Sequence, residues 1–278
     1  MEVEGPRSLR RLSTLLPALL PALAQAADAA EDAAMDTSNA ADIHDARAAW
    51  QEAYHALRLL EKLLPHAGAS LHWGAGEEAQ LLWEAVCALQ LHPHLWVRVA
   101  AARLLAWALE TANVGPAMLR DTPGLPGRLA WQLVKQLETP GLDDVLGALA
   151  AGNLARLAPL LYEQDQALGR LADEEVDEVV HMRDPSLGVS LQWVASRVAQ
   201  LAGGRAIETA ATRRHALGLV SGLAASLGAE RVAPVLPMLL RPLYRLSEGP
   251  ATTGDAEVQD VAAEVMASIR CASCSVLR

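Results

Sequence analysis

The chain has 278 residues, of which 52% are apolar and only 4% aromatic, and Phe is absent. A chain of this length and apolar content can bury a large core, and its main apolar residues, Ala and Leu, favour helices. The net charge of −10 excludes an autonomous phosphate-binding module, because phosphate contacts supply most nucleic-acid affinity.

The N-terminal segment combines arginines with the apolar run Leu12 to Ala24. This outline matches a signal or transit peptide, but Pro17 and Pro21 favour a proline-punctuated helix that packs on its neighbour. Residues 1–26 are therefore predicted to form an apolar N-terminal helix, with a targeting segment as the alternative. Residues 27–42, rich in Ala, Asp and Glu, predict an acidic flexible linker. No apolar run reaches the roughly 18 residues of a membrane span.

From residue 43 to 270, apolar residues recur at helical spacing in successive blocks. The stripes of these predicted helices begin at Trp50, Leu82, Val97, Leu129, Leu191, Val220, Val232 and Val258. Proline and glycine mark the ends of these helices. Pro65 is expected to end the first helix, and Gly228 is expected to end the sixth. Pro93 is expected to lie in the first turn of the third helix. No comparable stretch alternates with period two, so the chain is predicted to be all-α.

Short turns between helices of this length predict antiparallel pairs that stack on one another. The loose repeat spacing is typical of a HEAT/armadillo-like α-solenoid, here over residues 43–270. The segment near 163–185 is rich in Asp and Glu and predicts an acidic loop between two halves of the array. Residues 271–278 are predicted to form a disordered tail.

No residue pattern in the chain predicts catalysis or a bound cofactor. The Cys271-x-x-Cys274 pair has no second knuckle, so a structural zinc site is not expected. His92 and His94 lack the spacing of a metal site, and capping or surface positions are expected for both. The chain has no Gly-rich phosphate loop and no hydrolase motif. We therefore expect no enzyme activity, no metal, no cofactor and no small-molecule substrate.

The tryptophans and arginines on the predicted helices are expected to have structural positions. Trp83, Trp96 and Trp107 lie beside Leu and Val at helical spacing, which favours a place in the core. Arg98 lies at the edge of the apolar face of its helix and is expected to pair with a carboxylate of the neighbouring helix. Arg103 lies on the side of the same helix that faces away from the apolar face.

Four blocks of sequence carry a resemblance to a known family. They are Glu61-Lys-Leu-Leu64, preceded by Trp50 and Tyr54; Leu82-Trp-Glu84, running into His92-Pro-His-Leu-Trp-Val-Arg98; Leu191-Gln-Trp-Val-Ala-Ser-Arg-Val198; and Val235-Leu-Pro-Met-Leu-Leu-Arg-Pro-Leu-Tyr-Arg245, followed by the Asp260 to Ile269 helix. In this order they resemble the C-terminal region of the small-subunit processome component 20 family. Its members are giant HEAT-repeat scaffold proteins of the small nucleolar ribonucleoprotein that processes pre-ribosomal RNA. The signature residues are His92, Pro93, Trp96, Val97, Arg98, Arg103, Trp193, Arg241, Pro242 and Tyr244.

The resemblance implies a non-catalytic scaffold of the small-subunit processome, in the nucleus and nucleolus, that acts in rRNA processing and ribosome biogenesis. Its partners would be other pre-ribosomal proteins, with pre-rRNA or small nucleolar RNA bound indirectly. The acidic net charge favours partners with basic surfaces. Family members are far longer, so the chain is expected to be a fragment, a mis-predicted gene or a detached paralogue. Two alternatives stay open: a generic cytosolic HEAT-repeat adaptor or transport factor, and an organelle-imported helical protein.

Overall fold

A computed structural model describes residues 15–28, 30, 50–67, 77–111, 124–169, 189–203, 210–248 and 256–274. These residues form α-helices, one short 3-10 helix and turns, and the described ranges contain no strand. The all-α prediction is confirmed. The chain divides into two compact units, Met1–Leu125 and Pro126–Arg278.

The first unit contains α1 (Leu15–Asp28), α2 (Trp50–Ala67), α3 (Glu77–Ala88), the 3-10 helix (Leu89–Leu91) and α4 (Leu95–Glu110). The second unit contains α5 (Leu125–Leu137, which starts at the boundary), α6 (Asp144–Ala167), α7 (Leu191–Gly203), α8 (Ala210–Val232), α9 (Leu236–Glu248) and α10 (Ala256–Cys274). Within α8, Gly228 has a φ of 72°, so the helix is broken where the sequence pattern ends it.

In the first unit, α2 and α3 both pack on α4. The helix α4 buries a face of small and branched residues, all at most 1% exposed: Val97, Ala100, Ala101, Ala102, Leu104, Leu105 and Ala108. The helix α1 buries Leu16 and Leu23 and leaves Pro17 and Pro21 exposed. It reaches Asp28, past residue 26, and Ala30 is helical and buried. Residues 1–14 and 31–49 lie outside the described residues, as does most of the predicted linker.

In the second unit, helices two apart in the chain pack side by side. The helix α8 lies between α6 and α10, and α7 packs on α9. Consecutive helices also make contact, α7 with α8 and α9 with α10. The helices therefore alternate between two layers, with α6, α8 and α10 in one and α7 and α9 in the other.

The helices α6 and α8 approach closely at two glycines that lie against the facing helix. A Cβ atom on Gly147 would come within 2.5 Å of the His215 ring, and one on Gly222 within 2.9 Å of the Ala155 Cβ. Both distances are shorter than real Cβ contacts. A side chain at either position would require the His215 ring or the Ala155 methyl group to shift, so glycine fits the close packing of the two helices.

Periodicity in the sequence does not predict the helix α6. A carboxylate near each end of this helix caps a helix N-terminus: that of α6 itself at the start, and that of α7 at the end. At its start, Asp143 accepts hydrogen bonds from the backbone N–H groups of Val145 and Leu146, both at 3.0 Å. Near its end, the buried Asp165 accepts one from the Leu191 N–H at 2.7 Å. Asp165 thus caps α7, a helix that begins 26 residues later, and satisfies one of its free N–H groups.

Two sequence expectations change at α6. The helix continues to Ala167, so the acidic loop predicted near 163–185 begins later, and residues 170–188 lie outside the described ranges.

By length and composition α6 could also cross a membrane, since it holds an 18-residue window with a mean hydropathy of 1.4. The expectation that no run reaches that length is therefore wrong. Its packing on α8 and its buried Asn153 are typical of a core helix.

Three predicted helix boundaries are wrong by a few residues. Pro65 lies inside α2, which continues to Ala67, since a proline near the C-terminus disturbs only the last turn. Pro93 precedes the N-cap residue of α4 and is not in its first turn. Val232 belongs to the end of α8, and α9 starts at Leu236 after a turn.

Candidate functional site

In the first unit, α2 and the start of α4 share a cluster of aromatic rings. Trp50 and His94 stack with ring centroids 3.9 Å apart and planes 4° apart. Trp96 lies edge-on to both rings, at 5.4 Å from Trp50 and 5.7 Å from His94. Tyr54 completes the set at 5.8 Å from Trp96. We call these four residues the aromatic surface.

Helix periodicity places the four rings at the edge of the α2–α4 contact. On α2, Ala53 and Leu57 are fully buried, and Trp50 and Tyr54, four residues apart, flank them as half-buried residues. On α4, Val97, which follows Trp96 directly, is fully buried. The aromatic surface is therefore held in place by the packing of the two helices beneath it.

The core position predicted for Trp96 is wrong, because this side chain is 56% exposed. Adjacent residues on a helix point about 100° apart, so Trp96 turns away from the face that Val97 buries. The prediction is confirmed for Trp83, which is 1% exposed, whereas Trp107 is half-buried. A large aromatic side chain exposed on a packed scaffold is typical of an interaction site.

The connection that carries His94 is organised by a buried histidine. Of the capping or surface positions expected for it, His92 has the first: it is the C-cap residue of the 3-10 helix, and it is 0% exposed. Its Nδ1 accepts a hydrogen bond from the His94 backbone N–H at 3.0 Å, whereas its Nε2 has no hydrogen-bond partner. The pKa of His92 is lowered from 6.5 to about 4, first by burial and then by the nearby charge of His94. A neutral His92 thus positions His94 for the stack with Trp50.

The chemistry of the aromatic surface is suited to binding. Indole and phenol rings offer apolar area and a negative π face, on which a cationic side chain can lie. Among the described residues, no group of three or more His, Cys, Asp or Glu side chains lies close enough to hold a metal ion. The side chains of Cys271 and Cys274 lie outside the described part of the chain.

The other signature residues lie on α4, α7 and α9. On α4, Arg98 is half-buried and Arg103 is exposed, as their positions on the helix predict. On α7, Trp193 is half-buried, and the Arg197 guanidinium lies 5.9 Å from its ring centroid. On α9, Pro242 is buried, whereas Arg241 and Tyr244 are exposed. The signature is thus divided between the two units.

Sequence reasoning misses Trp50, Tyr54 and His94 as members of the site. A signal is present in retrospect: Trp50 and Tyr54 are spaced four apart, and Trp96 lies one residue before the buried stripe of α4. Counting that stripe from Val97 would have placed Trp96 on the surface. The pairing of α2 with α4, which brings the two sets together, has no signal in the sequence pattern.

Neither a protein-family model nor a solved structure matches this chain.

Proposed function

We propose that the chain is a non-catalytic scaffold that binds other proteins, and that it acts as a structural subunit of the small-subunit processome in pre-rRNA processing and small ribosomal subunit biogenesis. The observation that carries the binding role is the exposed indole of Trp96 in the aromatic surface. The assignment to ribosome assembly rests on the resemblance of the His92 to Arg98, Leu191 to Val198 and Val235 to Arg245 blocks.

The architecture proposed for this scaffold is a HEAT/armadillo-like α-solenoid. Its support is the alternation of helices in the second unit, where α8 packs between α6 and α10 while α7 packs on α9. In a solenoid each helix contacts its pair mate and the equivalent helix of the next pair. The same order of contacts is found here. Repeat arrays of this kind offer long surfaces for binding other proteins.

The partners that fit the aromatic surface are proteins with basic surfaces. The net charge of −10 attracts them over a distance, because complementary potentials speed association. At contact, an Arg or Lys of the partner can lie on the exposed face of Trp96, an arrangement worth up to about 2 kcal/mol when water is excluded. Pre-rRNA or small nucleolar RNA would be held through such partners.

Fluorescent tagging of the full chain in cells tests the proposed location. A signal concentrated in the nucleolus is expected if the chain joins a pre-ribosomal particle. A diffuse cytoplasmic signal would contradict this and favour a cytosolic helical-repeat adaptor or transport factor. Accumulation in an organelle, together with loss of the first 26 residues, would favour an imported protein instead.

A further inference from the structure

A second surface feature lies in the other unit, where an open groove of about 610 Å³ runs between α7 and α9. Ser196 and Gln200 line it from α7, and Met238, Arg241, Pro242 and Arg245 line it from α9. The two arginines are four residues apart and both are exposed, so their guanidinium groups lie on one face of α9. The groove belongs to the second unit, as the aromatic surface belongs to the first.

Several described cations form ion pairs with carboxylates, whereas Arg241 and Arg245 form none with a described residue. Ion pairs engage Arg58 with Glu61, Lys135 with Glu138, Arg197 with Glu138, and Arg231 with Glu163. Within the described part of the chain, no ion pair involves Arg241 or Arg245. Two like charges four residues apart destabilise a helix, so the fold gains nothing from this pair. Beside the groove the two guanidinium groups make a local positive charge, in a chain whose net charge is −10, and this charge attracts anionic groups.

The neutral polar side chains of the groove add further donors. The Gln200 Oε1 accepts a hydrogen bond from Arg197 at 3.2 Å, and Arg197 is itself held by Glu138 at 2.6 Å. With its oxygen engaged, the Gln200 side chain offers the groove its amide N–H groups as donors. The Ser196 hydroxyl can also donate. The polar groups of the lining can thus donate hydrogen bonds to an anion with several acceptor oxygens.

The rest of the lining is apolar and points to a protein ligand. Met238, the buried Pro242, Leu246 and Ala199 line the groove beside the guanidinium groups. A nucleic acid would use the arginines but would leave this apolar area in contact with phosphate and sugar. Among the described residues that line the groove, none is aromatic, so bases have no ring to stack on there. A peptide that alternates acidic and apolar side chains satisfies both kinds of lining.

We propose that the groove between α7 and α9 binds an acidic segment of a partner protein, with Arg241 and Arg245 each holding a carboxylate and the apolar lining taking a Leu or similar side chain. This site is separate from the aromatic surface, and it requires no role in ribosome assembly. It adds a partner class, acidic segments, to the basic partners that the chain as a whole attracts.

Fluorescence polarisation with the full chain tests this proposal. The probe is a labelled ten-residue peptide of alternating Glu and Leu, with a Gln/Leu peptide as the uncharged control. We expect saturable binding of the Glu/Leu peptide alone, weakened about threefold to tenfold by Arg241→Gln or Arg245→Gln. Arg→Lys at either position should retain part of the affinity, because the charge remains and the bidentate geometry is lost.

Arg103→Gln is the matched control, since it removes one exposed charge from the other unit. It should leave binding unchanged. Equal losses from Arg103→Gln and Arg241→Gln would overturn the proposal, because they would show attraction by net charge alone. No saturable binding of the Glu/Leu peptide would also overturn it. So would tighter, arginine-dependent binding of a single-stranded RNA oligomer. Thermal unfolding by circular dichroism shows that each variant is folded.

Discussion

At the scale of the residue, His92 makes stability depend on pH. Its folded pKa of about 4 lies below the ordinary 6.5, so the unfolded chain binds more protons between these values. Stability is therefore full above pH 6.5 and falls as the pH drops towards 4. Because of this pKa shift, lowering the pH from 7.5 to 5 should reduce the free energy of unfolding by about 2 kcal/mol.

His92→Asn isolates this contribution, because the amide oxygen can replace Nδ1 as the acceptor for the His94 N–H and does not titrate. Urea unfolding at pH 7.5 and pH 5 should show a smaller acid loss in the variant than in the wild type, by about the same 2 kcal/mol. Equal acid losses in the two proteins would show that His92 is not the buried neutral group described above.

Asp165 tests whether the end of α6 fixes the start of α7. Asp165→Ala removes the acceptor of the Leu191 N–H, and the buried N–H loses its partner. We expect a loss of about 1–3 kcal/mol in unfolding free energy, measured with urea. Glu163→Ala is the control, because Glu163 is 55% exposed and its ion pair with Arg231 spans 3.7 Å. It should cost less than about 1 kcal/mol. A similar cost for both changes would contradict the capping role.

The same residues show what a sequence pattern can predict. The burial of Val97, Leu104 and Val258 follows from periodicity alone, because each lies on a stripe that repeats at 3.6 residues. The cap made by Asp165 does not, because its acceptor and donor are 26 residues apart and meet only when α6 and α7 pack. His92 is missed for a similar reason, since its burial depends on how the turn before α4 folds over the core.

At the scale of the element, the close packing of α6 on α8 depends on glycine. Gly222→Ala places a methyl group 2.9 Å from the Ala155 Cβ, which forces the two helices apart. We expect a loss of about 1–3 kcal/mol in unfolding free energy from this overpacking. Thermal or urea unfolding of the full chain measures it.

Gly218→Ala is the matched control, one turn earlier on α8, because a Cβ there meets nothing within 4 Å. Alanine is a better helix former than glycine, so this change should raise the unfolding free energy by about 0.5–1 kcal/mol. The two substitutions should therefore have opposite signs. If both stabilise the protein, the close approach of α6 and α8 is not as described.

The composition and burial of α6 explain why hydrophobic periodicity does not predict this helix. It is built largely from Ala, Leu and Gly, and buried residues occur on most of its circumference, from Leu146 and Gly147 to Ala150, Ala151, Asn153 and Leu154. A helix without a polar face gives no amphipathic stripe. By contrast α9 and α10 bury one face each and are predicted from their stripes, with α9 shortened at its start.

At the scale of the whole molecule, the chain combines a negative net charge with two local surfaces of different chemistry. The aromatic surface of the first unit suits a cationic side chain, and the donor-lined groove of the second suits an acidic one. A protein that carries two such sites can hold two kinds of partner at once, which is the role of a scaffold. Composition predicts the charge, but neither surface follows from it.

Affinity purification of the tagged chain tests the proposed scaffold role most directly. Wild type should recover pre-ribosomal proteins, and Leu81→Ala, which removes a side chain 49% exposed on α3, should recover the same set. Trp96→Ala should weaken that recovery about tenfold, because truncating an aromatic anchor commonly costs more than 1 kcal/mol of binding free energy. Recovery of no pre-ribosomal proteins by the wild type, or equal recovery by all three proteins, would contradict the account.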